Sequence, residues 1–453
     1  MTIEALSGSL LADGTDLREL VDVERRALSG RVFSDQEIFD LERERIFGRT
    51  WVFLGLESEI SEPGDFVTRT LGTDAVIVAR DHSGAVNVLL NVCAHRAAQV
   101  CMVDGGKADT FRCPYHGWVY DPAGRLVAIP AEREFLGDTG DKSEFRLQRA
   151  RVATYGGLIF ATWDETLPSF EDYIGDFKWY LDVAFGSLDK PLVVAGPPQR
   201  FVTKANWKLA SDNFAGDGYH AMTLHASMGD IGVAPGGFLD KIAGFAFSAA
   251  MPETGHSITC VDLTAFVPMF GALELAVPWI PPDARPQLER NLLPEQMRLL
   301  NNGVFPGIGM LFPNFVWLGL VRFPGTPAAG FTVRTFMPVA PDRTEVWSWA
   351  LVHPDLSDEE KRQSAQMHTL TFGASGIFEQ DDLAAWARIQ TSVSGGQGRR
   401  QYLRYPSSRP PSRSGVLPDG DWPGPGDIWG GFSTDDSIWY WHMKWLELMT
   451  AAG

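Results

Sequence analysis

The sequence predicts an α+β protein in which a small all-β domain precedes a larger domain of helices and antiparallel strands. From Trp51 to Trp163, short apolar runs of alternating pattern are separated by turn residues, which is typical of a small β-domain. After about residue 167, helical patterns are mixed with three longer alternating runs at 310–323, 330–340 and 344–354. These runs predict neighbouring antiparallel strands. A chain of 453 residues is also too long for one ordinary core.

The expected division of the chain follows these changes of pattern. Residues 1–47 are predicted to be an N-terminal helical segment that packs on the larger domain, with a helix from about Ser34 to Phe47. Residues 48–165 form the β-domain and residues 166–453 the larger domain. Within the larger domain we expect one helix from about Trp207 and one long helix from Ser357 to about Gln390.

Composition excludes several classes of function. A net charge of −18 argues against nucleic acid or an anionic membrane as a partner. No sustained apolar run of about 18 residues predicts a membrane span, and the N-terminus lacks the pattern of a secretory signal. Four cysteines in so long a chain do not make a disulfide framework. We therefore expect a cytoplasmic protein.

Two Cys/His pairs in the β-domain indicate a metal centre. Cys93 and His95 are separated by one residue, and Cys113 and His116 by two. Two thiolates and two imidazoles can hold a structural zinc or a [2Fe–2S] cluster. Each pair follows a predicted strand, and aromatic and turn residues crowd the second pair at 114–118, which favours the cluster. In a Rieske centre two histidines replace two cysteines on one iron, so that it can relay single electrons. A zinc ribbon is the alternative.

A second site is indicated by the stretch DNFAGDGYHAMTLH, which covers residues 212–225. His220 and His225, with a carboxylate such as Asp382, would make a 2-His-1-carboxylate triad that leaves positions on Fe(II) open. On a continuous helix, side chains five residues apart diverge by about 140°. The two histidines can therefore share a metal only if the helix ends or bulges between them. Asp217 could accept a hydrogen bond from a ligand imidazole, or could be an ordinary surface carboxylate.

These motifs resemble those of the aromatic-ring-hydroxylating oxygenase large (alpha) subunits. The loops NVCAHRAAQVC and FRCPYHGWVYDPAGRL are similar to that family's Rieske domain, and D-N-x-x-x-D-x-Y-H-x4-H is similar to its iron motif. The resemblance extends over nearly the whole chain, through FGRTWVFLGLESEI, YGGLIFATW, LFPN and TEVWSW. One position departs from it, because Ala97 stands where the family usually has glycine. If that position needs a positive φ, the Cβ costs about 1 kcal/mol.

The resemblance implies roles for particular residues. It places a Rieske [2Fe–2S] cluster on Cys93, His95, Cys113 and His116, and a mononuclear Fe(II) on His220, His225 and Asp382. Asp381 is the neighbour most easily confused with the third ligand, because an Asp-Asp pair on a helix is by itself usually a solvated face. The family's larger domain is a helix-grip fold, in which a curved antiparallel sheet wraps over a long helix.

Other roles implied by the resemblance concern catalysis and the substrate. Asp217 would link His220 to His116 of a neighbouring subunit, and Asn213 would act beside it in catalysis. The substrate pocket would be lined by Asn213, Phe214, Ala221, Phe336, Phe372 and Phe378. The alternative for these aromatic residues is an ordinary core, because the chain is 11% aromatic.

The implied function is that of a terminal oxygenase that uses O2 and electrons from NADH to cis-dihydroxylate an aromatic ring. Its expected partners are a ferredoxin, an NADH-dependent ferredoxin reductase and a small beta subunit in an α3β3 assembly. Monohydroxylation or demethylation by the same ligands is one alternative. An electron-transfer protein with a vestigial iron site is another. The substrate stays open between a hydrocarbon, a polycyclic and a carboxylate-bearing ring, of which a basic side chain in the pocket would favour the last.

Overall fold

The computed structural model describes residues 9–137, 141–231, 246–322, 328–417, 419–431 and 434–451. The chain divides into two compact units, Phe47–Phe170 and the combination of Met1–Ile46 with Glu171–Gly453. These bounds lie close to the expected divisions at 47/48 and 165/166, and the N-terminal segment falls in the same unit as the C-terminal part. Among the described residues, no helix is both long and apolar enough to cross a bilayer.

The strands, in chain order, have the following bounds. They are β1 Val21–Asp22, β2 Ala27–Ser29, β3 Val52–Leu56, β4 Asp65–Leu71, β5 Asp74–Arg80, β6 Val86–Leu90, β7 Gly105–Lys107, β8 Phe111–Arg112, β9 Val119–Tyr120, β10 Leu126–Ala128, β11 Arg151–Tyr155, β12 Leu158–Thr162, β13 Val193–Val194, β14 Gln199–Thr203, β15 Ala246–Ala250, β16 Ser257–Asp262, β17 Val304–Leu311, β18 Phe315–Leu320, β19 Gly330–Ala340, β20 Arg343–Val352, β21 Tyr402–Arg404 and β22 Asp427–Gly430.

The α-helices are α1 Gln36–Glu42, α2 Glu132–Leu136, α3 Phe170–Ile174, α4 Lys178–Leu181, α5 Trp207–Gly216, α6 Ala221–Leu224, α7 Ser227–Asp230, α8 Val267–Phe270, α9 Ala272–Ala276, α10 Pro286–Asn291, α11 Pro294–Asn301, α12 Asp358–Thr371, α13 Ile377–Ser394 and α14 Asp436–Thr450. Single π-helical turns follow α1 at Arg43–Phe47 and α4 at Asp182–Gly186. Short 3-10 turns lie at Leu17–Leu20, Gly30–Phe33, Glu57–Ile60, Ser143–Phe145, Gly175–Phe177, Thr264–Phe266, Pro282–Ala284 and Gly398–Arg400.

The smaller unit is built from antiparallel sheets, as the alternating runs predicted. Strands β6, β5, β4 and β7 form one sheet, β11, β12 and β3 a second, and β10, β9 and β8 a third. Its core contains Phe66, Ile77, Trp118 and Tyr120 together with the buried thiols of the two Cys/His pairs. The metal-binding loops are therefore anchored in the core through their cysteines.

The larger unit is organised around an antiparallel sheet. Among the described residues, nine strands join in the order β13-β20-β19-β18-β17-β16-β15-β22, with β14 also paired to β20. Nearly every residue of β17, β18 and β19 is buried, because both faces of the sheet are covered. The three long alternating runs thus form neighbouring antiparallel strands, as predicted. The expected α+β class, with an all-β domain and an antiparallel-sheet domain, is confirmed.

Two predicted helices are interrupted at the positions that matter for function. The helix from Trp207 ends at Gly216, whose φ is +156° and where a Cβ would collide with the Ser437 hydroxyl. The prediction of one helix from Ser357 to about Gln390 is wrong, since α12 ends at Thr371 and α13 begins at Ile377. Between them the chain turns at Gly376, where a Cβ would collide with the Thr371 carbonyl. Both turns depend on long-range or close backbone packing that a helical pattern does not encode.

Candidate active site

His220 and His225 flank a single helical turn that lies beyond the end of α5 at Gly216. His220 directly precedes the single-turn helix α6, and His225 directly follows it. The sequence left open whether the helix ends or bulges between the histidines, and the structure shows that it ends, because α6 stops at Leu224 and His225 lies outside it with φ −99° and ψ 16°. The ring centroids of His220 and His225 are 5.1 Å apart, with the rings nearly perpendicular at 77°.

Asp382, on the first part of α13, faces both histidines. Its Oδ1 lies 3.4 Å from Nε2 of His225 and 3.6 Å from Nε2 of His220. One ligand atom from each of the three residues lies within 4.8 Å of the others, a spacing at which they can share one ion. Asp382 lies more than 150 residues after the two histidines in the sequence.

The chemistry of this donor set fits a divalent cation such as Fe(II). Asp382 is 1% exposed, and its Oδ1 has no hydrogen-bond donor within the part of the chain that the structure describes. A buried carboxylate without a donor is costly unless a cation neutralises it. Two imidazoles with one carboxylate are the ligands of non-haem iron oxygenases, in which part of the coordination sphere is left open. His220, His225 and Asp382 are therefore the residues that would hold the iron.

Two further carboxylates stand behind the histidines and orient them. Asp217 Oδ2 lies 3.4 Å from Nδ1 of His220, and Asp217 Oδ1 accepts a hydrogen bond from the His220 backbone N–H at 3.2 Å. Asp381 Oδ2 lies 3.6 Å from Nδ1 of His225. In both cases the carboxylate faces Nδ1 and leaves Nε2 facing Asp382, as a partner behind a metal ligand should. The sequence analysis did not assign Asp381 this position, although its adjacency to Asp382 was a signal.

The charges around His220 shift its titration. Burial opposes protonation of the imidazole, but the carboxylates of Asp217 and Asp382 outweigh this and hold the pKa of His220 above its ordinary value. Burial by itself raises the pKa of Asp217. Hydrogen bonding and attraction from His220 outweigh burial, so the pKa of Asp217 lies below its ordinary value. The Asp217–His220 pair is thus electrostatically complementary in the absence of any ion.

The three candidate ligands open into a cavity of about 180 Å³. Of the residues predicted to line the substrate pocket, five do so in the structure: Asn213, Phe214, Ala221, Phe372 and Phe378. Phe372 and Phe378 are stacked with centroids 5.2 Å apart, and Phe378 lies edge-on to the His225 ring at 5.0 Å. The aromatic residues therefore form one wall of the cavity, directly beside the candidate metal site.

Phe336 is the exception among the predicted pocket residues. It is fully buried and does not line the cavity, and instead stacks on the far side of Phe214 with centroids 5.5 Å apart. Its position on β19 places it one layer behind the cavity wall, where it also meets the edge of Trp386. The prediction that Phe336 lines the pocket is corrected on this ground.

The sequence analysis missed the opposite wall, which the sheet supplies. This wall comes from β16, β17, β18 and the residues that follow them: Thr259, Val261, Leu263, Phe305, Gly307, Ile308, Leu318, Gly319, Leu320 and Val321. No motif marks these residues. Their only signal was the alternating apolar pattern, which predicts a strand but not which strand faces the metal.

A buried ion pair behind the aromatic wall was also missed. Arg334 on β19 and Glu379 on α13 are both fully buried and form a salt bridge. The Arg334 guanidinium also lies over the rings of Phe214, Phe336 and Phe372 at 5.3 to 5.5 Å from their centroids. Burial raises the pKa of Glu379 to about 7, against the opposing effect of Arg334. Glu379 precedes Asp382 by one helical turn, so the pair ties the sheet to the helix that carries the candidate ligand.

In the smaller unit, the two Cys/His pairs form matching loops. The backbone N–H of Ala97 donates to the Cys93 carbonyl at 2.9 Å, and that of Gly117 donates to the Cys113 carbonyl at 3.0 Å. Both Ala97 and Gly117 have positive φ, at +56° and +74°. Position 97 thus needs the left-handed conformation that glycine adopts most easily, and the alanine there carries a strain of about 1 kcal/mol.

The four side chains of these loops are placed to bind one group together. Cys93 and Cys113 are buried, and the rings of His95 and His116 lie 4.5 Å apart. Tyr120 Oη lies 3.3 Å from the Cys93 sulfur and accepts a hydrogen bond from the Ala94 N–H. Nδ1 of His95 is buried and has no hydrogen-bond partner among the residues described. Two thiols, two imidazoles and a partnerless ring nitrogen fit a [2Fe–2S] cluster of the Rieske type.

Comparison with known families and structures agrees with this geometry. Residues 50–155 match the family described as "Rieske [2Fe-2S] domain", and residues 170–409 match "Ring hydroxylating alpha subunit (catalytic domain)".

Three individual proteins illustrate the similarity. The N,N-dimethyl phenylurea N-demethylase subunit alpha of Sphingobium sp. (strain YBL2) is 36% identical over 88% of this chain and 86% of its own. The biphenyl dioxygenase subunit alpha of Metapseudomonas furukawaii is 35% identical over 85% of this chain and 84% of its own. The crystal structure of naphthalene 1,2-dioxygenase from Rhodococcus sp. bound to indole has a TM-score of 0.85 and 36% identity, and the similarity covers 94% of each chain.

Proposed function

Because this chain belongs to the ring-hydroxylating alpha subunit family, we propose that it cis-dihydroxylates an aromatic ring with O2 and electrons that originate from NADH. It is an oxidoreductase whose cofactors are a Rieske [2Fe–2S] cluster and a mononuclear non-haem iron. The proposed reaction joins an arene, O2, two electrons and two protons, breaks the O–O bond and forms two C–O bonds on one face of the ring. The observation that carries the proposal is that His220, His225 and Asp382 open directly into a cavity walled by aromatic side chains.

The cluster on Cys93, His95, Cys113 and His116 would supply single electrons. A structural zinc is therefore not needed to explain these four residues. The iron on the triad would supply open positions at which O2 is activated. A vestigial iron site would not require an intact triad with a donorless, buried Asp382.

The chain's own residues then position the substrate and hold charge. Phe214, Phe372 and Phe378 present ring faces and edges to a flat arene and exclude water from it. Asn213, which also lines the cavity, is proposed to act in catalysis as a neutral polar group beside the aromatic residues. Asp217 is proposed to orient His220, since its carboxylate faces Nδ1 at 3.4 Å and Nε2 is left facing Asp382.

Asp217 is also proposed to connect the two metal centres, by linking His220 to His116 of a neighbouring subunit. Its test is Asp217→Asn, which keeps the shape but removes the charge. We expect iron content and cluster absorbance to be retained while turnover falls by roughly 10- to 100-fold or more. Loss of iron to the same extent as activity would assign Asp217 a purely structural role.

The proposed partners follow from the family. A ferredoxin would deliver electrons from an NADH-dependent ferredoxin reductase, and a small beta subunit would complete an α3β3 assembly. The four free cysteines support a reducing compartment, and we propose a cytoplasmic location. The strongly acidic composition supports a small-molecule substrate rather than nucleic acid.

One observation favours a second candidate activity, since a demethylase is as similar to this chain as the dioxygenases are. The two activities differ in the fate of oxygen. We would supply the purified holoenzyme with electrons, ¹⁸O2 and either biphenyl or an N,N-dimethyl phenylurea. Two labelled atoms in a cis-dihydrodiol support dioxygenation. Release of formaldehyde, with one labelled atom incorporated, supports demethylation and contradicts the proposed main activity.

A further inference from the structure

A second cavity adjoins the one at the candidate metal site. It has a volume of about 710 Å³, compared with about 180 Å³ for the inner cavity. Two residues line both cavities, Leu263 and Val321. These side chains therefore lie at the boundary between the inner cavity, which touches the triad, and the outer cavity.

The sheet topology explains why these two residues lie at the same end of the sheet. Strands β16 and β18 lie on either side of β17 and run antiparallel to it. Both β16 and β18 end beside the first part of β17, at the same end of the sheet. Leu263 is the first residue after β16, and Val321 is the first after β18. The boundary is thus held by two strand ends of one sheet, and Leu263 is further fixed by the hydrogen bond from its N–H to the Gly303 carbonyl at 3.2 Å.

The size of the inner cavity limits what fits inside it. An apolar protein cavity of roughly 150 Å³ holds one benzene molecule. The inner cavity, at about 180 Å³, is only slightly larger. A substrate with a second ring exceeds this volume, and the outer cavity that begins at Leu263 and Val321 offers room for the second ring.

The two cavities also differ in the charged residues that line them. Among the described residues that line the inner cavity, none is Lys or Arg, so a carboxylate on the substrate would find no counter-charge there. The outer cavity combines the exposed apolar rings of Phe266 and Phe270 with charged side chains, namely Glu274, Arg285, Arg322 and Glu360. An uncharged ring suits the inner cavity, and the rings of Phe266 and Phe270 can contact a second apolar ring in the outer one.

We infer that Leu263 and Val321 determine substrate length, so that single-ring arenes are held inside them and uncharged two-ring arenes pass between them. This inference rests on the proposed function, because it concerns the substrate of that reaction. It assigns substrate specificity to two residues that no motif marks and that line both the inner and the outer cavity.

The experiment compares kcat/KM for biphenyl and for benzene in the purified holoenzyme supplied with electrons. Leu263→Trp should lower the biphenyl-to-benzene ratio by at least roughly tenfold, since overfilling a pocket discriminates on that scale. The double variant Leu263→Ala/Val321→Ala should raise the ratio. The matched control is Leu293→Trp, at an exposed leucine that lines neither cavity, which should leave the ratio unchanged.

The outcomes separate the inference from the function on which it rests. Opposite changes of the ratio in the two variants support the inference, because a general folding defect would not raise it in either. A ratio that stays within about threefold of wild type in both variants overturns it. If the wild-type enzyme converts neither of these arenes but forms a cis-dihydrodiol from another aromatic ring, the inference fails and the proposed function stands; if it oxidises no aromatic ring, the proposed function itself fails.

Discussion

Arg334 and Glu379 form an ion pair in which neither side chain is exposed, between the sheet and the helix that carries Asp382. Three phenylalanine rings surround the guanidinium. A buried pair of this kind contributes less to stability than its attraction suggests, because both charges lose their hydration. Its value here is to join the aromatic wall of the cavity and the candidate iron ligand into one packed layer.

The pair predicts an asymmetric response to mutation. Glu379→Gln leaves a guanidinium that cannot lose its proton, and should lower the free energy of unfolding by about 3 to 5 kcal/mol. Arg334→Met should cost less, because Glu379, whose pKa is already about 7, can take up a proton. Denaturant midpoints of the purified proteins measure this order. Asp355→Asn removes the exposed Lys190–Asp355 pair and should change stability by no more than about 1 kcal/mol. Equal losses from Glu379→Gln and Arg334→Met would contradict the argument.

Neighbouring Asp381 and Asp382 should differ in their effect on iron. Asp382→Ala removes the oxygen that faces both histidines, and we expect about two irons per chain, those of the cluster, instead of about three. Asp381→Ala removes only the partner of His225 Nδ1 and should weaken iron binding by roughly 10- to 100-fold without abolishing it. Metal analysis after dialysis against increasing chelator distinguishes the two. Full iron content in Asp382→Ala would exclude this residue as a ligand.

The left-handed alanine at position 97 predicts a stabilising substitution. Ala97→Gly should raise the stability of the smaller unit by about 1 kcal/mol and slow cluster loss, because the loop beside Cys93 is relieved of its strain. Ala131, with φ at +54°, provides the matched control outside the cluster loops. Ala131→Gly should raise the thermal midpoint without slowing the decay of cluster absorbance. Faster cluster loss in Ala97→Gly would show that the alanine is accommodated without strain.

The buried His256 predicts a dependence of stability on pH. Its Nδ1 accepts from the Phe312 N–H at 3.0 Å, its Nε2 lies 3.2 Å from the Tyr173 carbonyl, and burial lowers its pKa to about 3. The unfolded chain binds a proton near pH 6.5 but the folded chain does not. The contribution of neutral His256 to the free energy of unfolding is therefore complete above pH 6.5. It falls by about 1.4 kcal/mol per pH unit as the pH is lowered from 6.5 to about 3.

The variant His256→Gln can keep both hydrogen bonds but does not titrate. The thermal midpoint of wild type should fall more steeply between pH 6.5 and pH 5 than that of the variant, and subtracting the two curves removes any loss of metal common to both. Parallel curves would mean that His256 is protonated in the folded protein or exchanges with solvent.

The sequence by itself determined the chemistry of both centres and the class of the fold. Cys93, His95, Cys113 and His116 lie in two short loops, and His220 and His225 in a third, so their residue types and spacing already limit the metals they can hold. Alternating apolar runs are equally local, which is why the antiparallel strands were predicted where they occur. The departure at Ala97 was visible in the loop motif, but only the structure showed that this position has a positive φ.

Only the tertiary structure decided which side chains meet. Asp382 faces Nε2 of both histidines, and Asp381 faces only Nδ1 of His225, because α13 begins anew after the turn at Gly376. Phe336 lies behind the cavity wall, and Leu263 and Val321 form a boundary, because of the way the strands pair and the side chains of separate segments pack. The physical reason is that ligand chemistry depends on residue type over a few positions, whereas facing and burial depend on packing between segments that are distant in the sequence.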